Sequence, residues 1–247
     1  MAGRDGLVDG ELATWTDARD AAAAGAPAVL PIGAYEQHGP HLPLATDTVL
    51  AGVLARRVAD ALGAFLLPAL PFGESSSNDG FPGTVSLAFD TVRSVLRDVT
   101  AALERGGFAC LIVVNGDYGN RAPLRQGAGE AARRGFPVLV IDYPGLEEAA
   151  QAVCETAPPG GIHHAEELET SIMLAVVPRA VRVEAIVAEQ PLVPATFGAA
   201  PTPLHTLSSS GVFGDPRPAT AAKGERLLDL LAASAVELAR QFLAGLG

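Results

Sequence analysis

The sequence predicts an α/β fold: a mostly parallel sheet covered by helices on both faces. Short, continuous apolar runs read as strands buried on both sides. Longer stretches with a 3.6-residue apolar period alternate with them. Clusters of Asp, Glu and His follow several of the runs, where open parallel sheets gather their sites. The 247 residues, 49% of them hydrophobic and 18% charged, suffice for one domain spanning 1–247 with a substantial core, and exclude global disorder.

Residues 27–33 (PAVLPIG) form the first predicted strand. Thr46 or Asp47 opens a helix, TDTVLAGVLARRVADALG, with Val49, Leu50, Val53, Leu54 and Val58 on one stripe. Residues 64–70 (AFLLPAL) are a second apolar run, and 91–106 are helical, ending at a Gly pair. Residues 108–114 (FACLIVV) give the clearest buried strand, stopping at Asn115-Gly116. A helix over 120–135, a strand over 136–142, helices over 146–156 and 164–176, and a last helix from about Thr220 to Leu246 complete the pattern. The Pro-, Ala-, Ser- and Gly-rich stretch 190–220 reads as a long ordered loop or an oligomer contact.

A net charge of −11 disfavours a partner that tracks nucleic-acid phosphates. No apolar run is long enough to span a bilayer and the first residues are polar, so a cytoplasmic protein with no membrane partner is expected. Two cysteines without a C-x-x-C pair exclude a cysteine-rich zinc site. Cys110 reads as inert core, and Cys154 lacks an activating base. Lys223, the only lysine, falls in a region that reads as surface.

Four polar clusters carry the chemistry. In Tyr35–Asp47, Glu36 and His38 are two residues apart in extended chain and point to one side, and Asp47 follows at a helix start. Glu, His and Asp converging at a strand end suit a divalent ion with mixed oxygen and nitrogen ligands, and an Asp can bridge two ions. The plainer alternative is an N-capping Asp47 beside two surface residues. In the second cluster, Asn115–Asn120, Asp117 is a ligand candidate and Tyr118 a substrate neighbour, although these residue types also make an ordinary turn. In the third, His163–Ser171, Glu166 and Glu169 are three apart and share a helix face; acids complementing a helix dipole explain one or two of them. The fourth, Gly73–Thr84, holds Ser77 and Asn78 and either lines a pocket or is a plain surface loop.

The blocks LPIGAYEQHGPHLPLATDT (30–48), GFPGTVSL (80–87), VVNGDYGN (113–120), HAEELETS (164–171) and GVFGDPRPATAAKGE (211–225) resemble the creatininase (creatinine amidohydrolase) family in order and spacing. The resemblance implies a three-layer α/β/α sandwich and a divalent-metal centre, usually of two ions (zinc, manganese or iron). It implies hydrolysis of a non-peptide C–N bond by metal-activated water, and homo-oligomers that are often hexamers. It places Glu36, His38, Asp47 and Glu169 as metal ligands, with Asp47 bridging. It sets His164 near the reacting group and Ser77 or Asn78 at the substrate. His164 or Glu166 would move the proton to the leaving nitrogen.

Two departures stand out. Asp117 occupies the position where the family usually carries the histidine of an NGH block, which makes the shell harder and shifts preference toward manganese, iron or magnesium-like ions. SSSNDG also stands where many relatives have a Glu-His pair. Both argue for a specialised branch, in the setting of a biosynthetic pathway. Three readings follow: an amidohydrolase for a small amide, lactam or formamide; a peptidase trimming a precursor peptide; or a catalytically decayed binding or assembly member.

Overall fold

A computed structural model describes residues 6–246. Its sheet has five strands, β1 (Val8–Asp9), β2 (Ala28–Ile32), β3 (Phe65–Leu66), β4 (Leu111–Asn115) and β5 (Val138–Ile141), in the order β1-β3-β2-β4-β5, all pairs parallel. Seven α-helices are described: α1 (Trp15–Ala23), α2 (Thr46–Leu62), α3 (Phe89–Arg105), α4 (Arg121–Arg133), α5 (Leu146–Val153), α6 (Glu167–Val176) and α7 (Ala221–Ala244).

The period-2 alternation of the central strands sorts the side chains into two cores. Val29, Ile112, Val114 and Ile141 face α2, α5, α6 and α7, meeting Leu50, Leu54, Val58, Ile172, Leu227 and Leu231. Ala28, Leu30, Ile32, Leu111 and Val113 face the opposite way, onto Val92 and Leu96 of α3 and Leu124 and Ala131 of α4. That is the expected three-layer α/β/α arrangement. Truncating Ile112, which is fully buried, to Ala costs about 2–5 kcal/mol because the two layers cannot collapse into the gap.

The regular elements track the apolar pattern with three differences. The 64–70 run yields only the two-residue β3, because Pro68 withholds a ladder donor. β1 and α1 arise from the polar N-terminal stretch, where a Thr14–Asp17 capping box starts the helix. The predicted helix over 164–176 begins only at Glu167: His164 pairs in an isolated bridge with Phe213, Ala165 takes φ +54°, and Glu166 is the N-cap. Among the described residues no helix is long and apolar enough to cross a membrane. Lys223 is not a free surface amine: its Nζ donates to Glu155 at 2.7 Å and to the buried Glu167 at 2.6 Å.

Candidate metal centre

The site lies beyond the carboxyl ends of β2 and β4, against the starts of α2 and α6. After β2 the chain is pinned from both sides. Glu36 N–H donates to the Leu44 carbonyl at 2.9 Å, Gln37 N–H to Thr84 Oγ1 at 3.2 Å, and Val85 N–H to the Tyr35 carbonyl at 2.8 Å. This brings Glu36 and His38 beside Asp47, the second residue of α2. Asp47 is not the N-cap; Ala45 holds that position without a side-chain bond, so the plainer capping role does not occupy its carboxylate.

The turn after β4 delivers Asp117. Asn115 makes the turn, accepting from Asp117 N–H at 3.2 Å and donating to the Asp117 carbonyl at 2.7 Å. Gly116 lets this turn cross α2: a Cβ there would sit 2.4 Å from the Asp47 carbonyl oxygen. Thus the ordinary turn and the ligand position coexist in one segment. From α6, Glu169 turns back to accept the Ala165 N–H at 2.6 Å and lies 3.7 Å from His38 Nε2.

Three trios result, each with ligand atoms within 4.8 Å of one another: Glu36/Asp47/Asp117, His38/Asp47/Glu169 and Glu36/His38/His164. All of these side chains are buried or nearly so. Asp47 belongs to both carboxylate-rich trios, the geometry expected of a bridge. His38 is fixed by the backbone two residues before it: Nδ1 donates to the Glu36 carbonyl at 3.1 Å, aiming Nε2 at Asp47 Oδ1, 3.0 Å away.

The donor supply identifies what the cluster fits. Glu36 Oε2, Asp47 Oδ2 and Asp117 Oδ2 are buried without any hydrogen-bond donor. An acid buried this way is costly unless a cation or a proton answers it. Without a cation, protons do: burial and the neighbouring Asp117 and Asp47 push Glu36 well above the ordinary carboxylate range. Burial and Asp47 do the same to Asp117. Burial lifts Glu169 to about 7, with Asp47 and Glu166 adding to it. Burial opposes a charge on His38, yet Asp47 and Glu169 hold it well above its usual value. His164 moves the other way, depressed by burial and by His38. A set of buried oxygens without donors beside one oriented imidazole fits divalent metal with mixed oxygen and nitrogen ligands.

The cluster opens into a cavity of about 850 Å³. Asn78 and Ser77 line it, Asn78 buried and Ser77 exposed. Tyr118 stands at its wall, 67% exposed, with the Arg121 guanidinium 4.1 Å from its ring centre. Glu166 does not join the ligands. Its Oε2 accepts the Leu168 N–H at 2.5 Å and its Oε1 meets His163 Nδ1 at 3.2 Å, so the N-cap position turns it away from Glu169.

Tyr143 escaped the sequence reading. It follows β5 at φ +50°, donates its hydroxyl to the Gly116 carbonyl, and lines the cavity. Burial together with Asp47, Glu169 and Asp117 pushes its phenol well above the ordinary range. The available signal was its place at a strand's carboxyl end, in a Tyr-Pro-Gly turn. Both cysteines are free; burial lifts Cys110 to about 11 and Cys154 to about 12, so neither is a ready thiolate.

Comparison with known proteins agrees with this geometry. The creatinine amidohydrolase family model matches residues 11–239. The chain is 30% identical over 238 residues to a creatinine amidohydrolase of Pseudomonas putida, covering 90% of this chain and 91% of that one. It is 33% identical over 215 residues to a mycofactocin precursor peptide peptidase of Mycobacterium tuberculosis, covering 81% and 78% respectively. A solved manganese creatininase superposes with a TM-score of 0.86 at 28% identity, over 95% of this chain and 98% of that one. A Zn-Zn form of a creatininase mutant gives 0.85. The chain belongs to the creatininase family of hydrolases.

Proposed function

We propose that this protein hydrolyses an amide-type C–N bond (amide, lactam or formamide) of a small, non-peptide molecule. The observation that carries the reading is the trio of buried carboxylate oxygens without donors at the floor of an 850 Å³ cavity. Glu36, Asp47 and Asp117 would hold one divalent ion, and His38, Asp47 and Glu169 the other. Bound ions supply Lewis acidity that activates water and offsets charge developing on the amide oxygen.

The chain's own groups do the rest. His164, whose Nδ1 lies 3.7 Å from Glu36 Oε1, stands beside the reacting group and hydrogen-bonds the leaving nitrogen. Glu166 serves that step indirectly, by capping the helix that presents Glu169. Asn78, Ser77 and Tyr118 bind the substrate, and Leu50, Leu54, Ile172 and Leu228 supply apolar wall that limits water. The Glu36/Asp47/Asp117 set has no imidazole, so it favours manganese, iron or magnesium, while the His38 set also accepts zinc. Assembly into a homo-oligomer, a hexamer included, belongs to the same reading.

One observation favours the peptidase alternative. The cavity lies near the upper end of the size range of ligand pockets, far larger than a single five-membered lactam needs. The test is a panel of creatinine, other lactams, formamides and short peptides, assayed with manganese- and with zinc-loaded protein. Turnover of a small amide that is lost on chelation and in Glu36→Gln supports the proposal. Cleavage of peptides alone moves the assignment to the peptidase. Inactivity on every substrate, with under about half an ion bound per chain, points to the decayed member.

A further inference from the structure

His164 shares its outer ring nitrogen with a side chain the reaction has not yet used. Gln37 is buried, between the two ligand candidates Glu36 and His38. Its orientation is not free. Oε1 accepts the Gly39 N–H at 2.9 Å, and that N–H can only donate. Nε2 faces three acceptors with two hydrogens: Asn78 Oδ1 at 2.7 Å and His164 Nε2 at 2.6 Å are the near ones, and the Gly211 carbonyl, which can only accept, lies farther off at 3.2 Å. Rotating the amide by half a turn would set a donor against the Gly39 N–H and an oxygen against two acceptors.

Gly211 secures the fit. At φ +80°, a Cβ on it would come within 1.8 Å of Gln37 Oε1. The NH2 group therefore faces His164 Nε2, 2.6 Å away. An N–H donor there requires a lone pair on the ring nitrogen. The ring has little room to turn and evade this: it lies against His38 at 4.4 Å between ring centres and edge-on to Phe213 at 6.1 Å.

We propose that Gln37 is a positioning residue that holds His164 in the tautomer with its ring proton on Nδ1, so that an N–H, rather than a lone pair, is presented to Glu36 and the carboxylate cluster. For its meaning in catalysis this rests on the reading of His164 as the residue beside the reacting group, but the tautomer is measured without any turnover. In that tautomer His164 is a neutral hydrogen-bond donor at Nδ1, toward Glu36 and the reacting group, while Gln37 keeps Nε2 an acceptor.

The experiment is long-range proton–nitrogen correlation NMR on zinc-loaded protein labelled with 15N-histidine, His164 being identified by its loss in His164→Gln. The expected result is Nε2 in the lone-pair range and Nδ1 in the N–H range. In Gln37→Glu, an oxygen faces Nε2, and its signal should shift into the N–H range. Gln37→Met, which offers neither donor nor acceptor, should give a mixture of tautomers. A proton on Nε2 in the wild type overturns the proposal, and so does zinc on Nδ1. A His164 spectrum unchanged in Gln37→Glu with zinc content intact overturns it too. The wild-type spectrum decides even where a variant does not fold, and a confirmed tautomer in a protein that hydrolyses nothing would separate this inference from the functional one.

Discussion

Two groups of acids in this molecule meet opposite fates. Half-buried Glu189 collects backbone N–H bonds from Ser209 and Ser210 at 2.9 Å and hydroxyls from Ser208 at 2.8 Å and Ser210 at 2.5 Å. Burial pushes it up, but these donors outweigh burial and bring it to about 2. Fully buried Glu167 is treated alike, taking the N–H groups of Glu155 and Thr156, the Thr156 hydroxyl and Lys223 Nζ. Glu36, Asp47 and Asp117 each keep an oxygen that nothing answers. Supply of donors, not burial or residue type, separates a carboxylate that holds the fold from one that awaits a cation.

The largest effect expected from breaking this contrast falls on Asp47, which belongs to both candidate ion sites. Asp47→Ala should abolish binding of both ions and drop turnover to background, measured by elemental analysis and by the amide panel. Full metal content in that variant would show that the two trios do not share a ligand. Glu167→Ala should act the other way round. Removing a saturated, fully buried partner of Lys223 should destabilise the fold by about 3–5 kcal/mol in denaturant unfolding while metal content per folded chain stays unchanged.

A subtler contrast lies in pH. In metal-free protein Glu169 sits at about 7, above the ordinary 4.5. A raised acid contributes stability that is complete below the ordinary value and is lost as pH rises through the folded one. Glu36 and Asp117 add to the same trend. Glu189, at about 2, contributes stability present above 4.5 and lost as pH falls through 2. In chelator, Tm should therefore fall between about pH 5 and pH 8, and saturating manganese should remove most of that fall. A flat profile in chelator would mean the cluster has donors the geometry does not reveal. The smallest effect belongs to the cavity wall: Tyr118→Ala forfeits the contact with Arg121 and should raise KM about 2- to 5-fold with kcat nearly unchanged.

Much of this was legible in the sequence because apolar period and strand-end chemistry are local. The runs at 27–33, 108–114 and 136–142 became β2, β4 and β5; Glu36, His38, Asp47 and Asp117 meet beyond the strand ends they follow, and Glu169 joins them from α6, where only the family resemblance had placed it as a ligand. Three features were not legible. Glu166 shares a helical spacing with Glu169, but whether a residue is the N-cap or the first turn depends on backbone angles at Ala165 that no side-chain pattern encodes. Lys223 reads as surface because its partners Glu155 and Glu167 are 68 and 56 residues away. Gln37 and Tyr143 lack the residue types that announce metal or acid–base chemistry; what they do follows from the Gly211 and Gly116 backbones that fold against them.

The most direct test of a cation-requiring carboxylate cluster is the metal stoichiometry of wild-type protein purified with manganese and freed of loosely held ions, read by elemental analysis with Tm recorded on the same samples. The account predicts about two ions per chain and a Tm that falls when they are stripped. Under about half an ion per chain, with Tm unmoved by chelator, would contradict it.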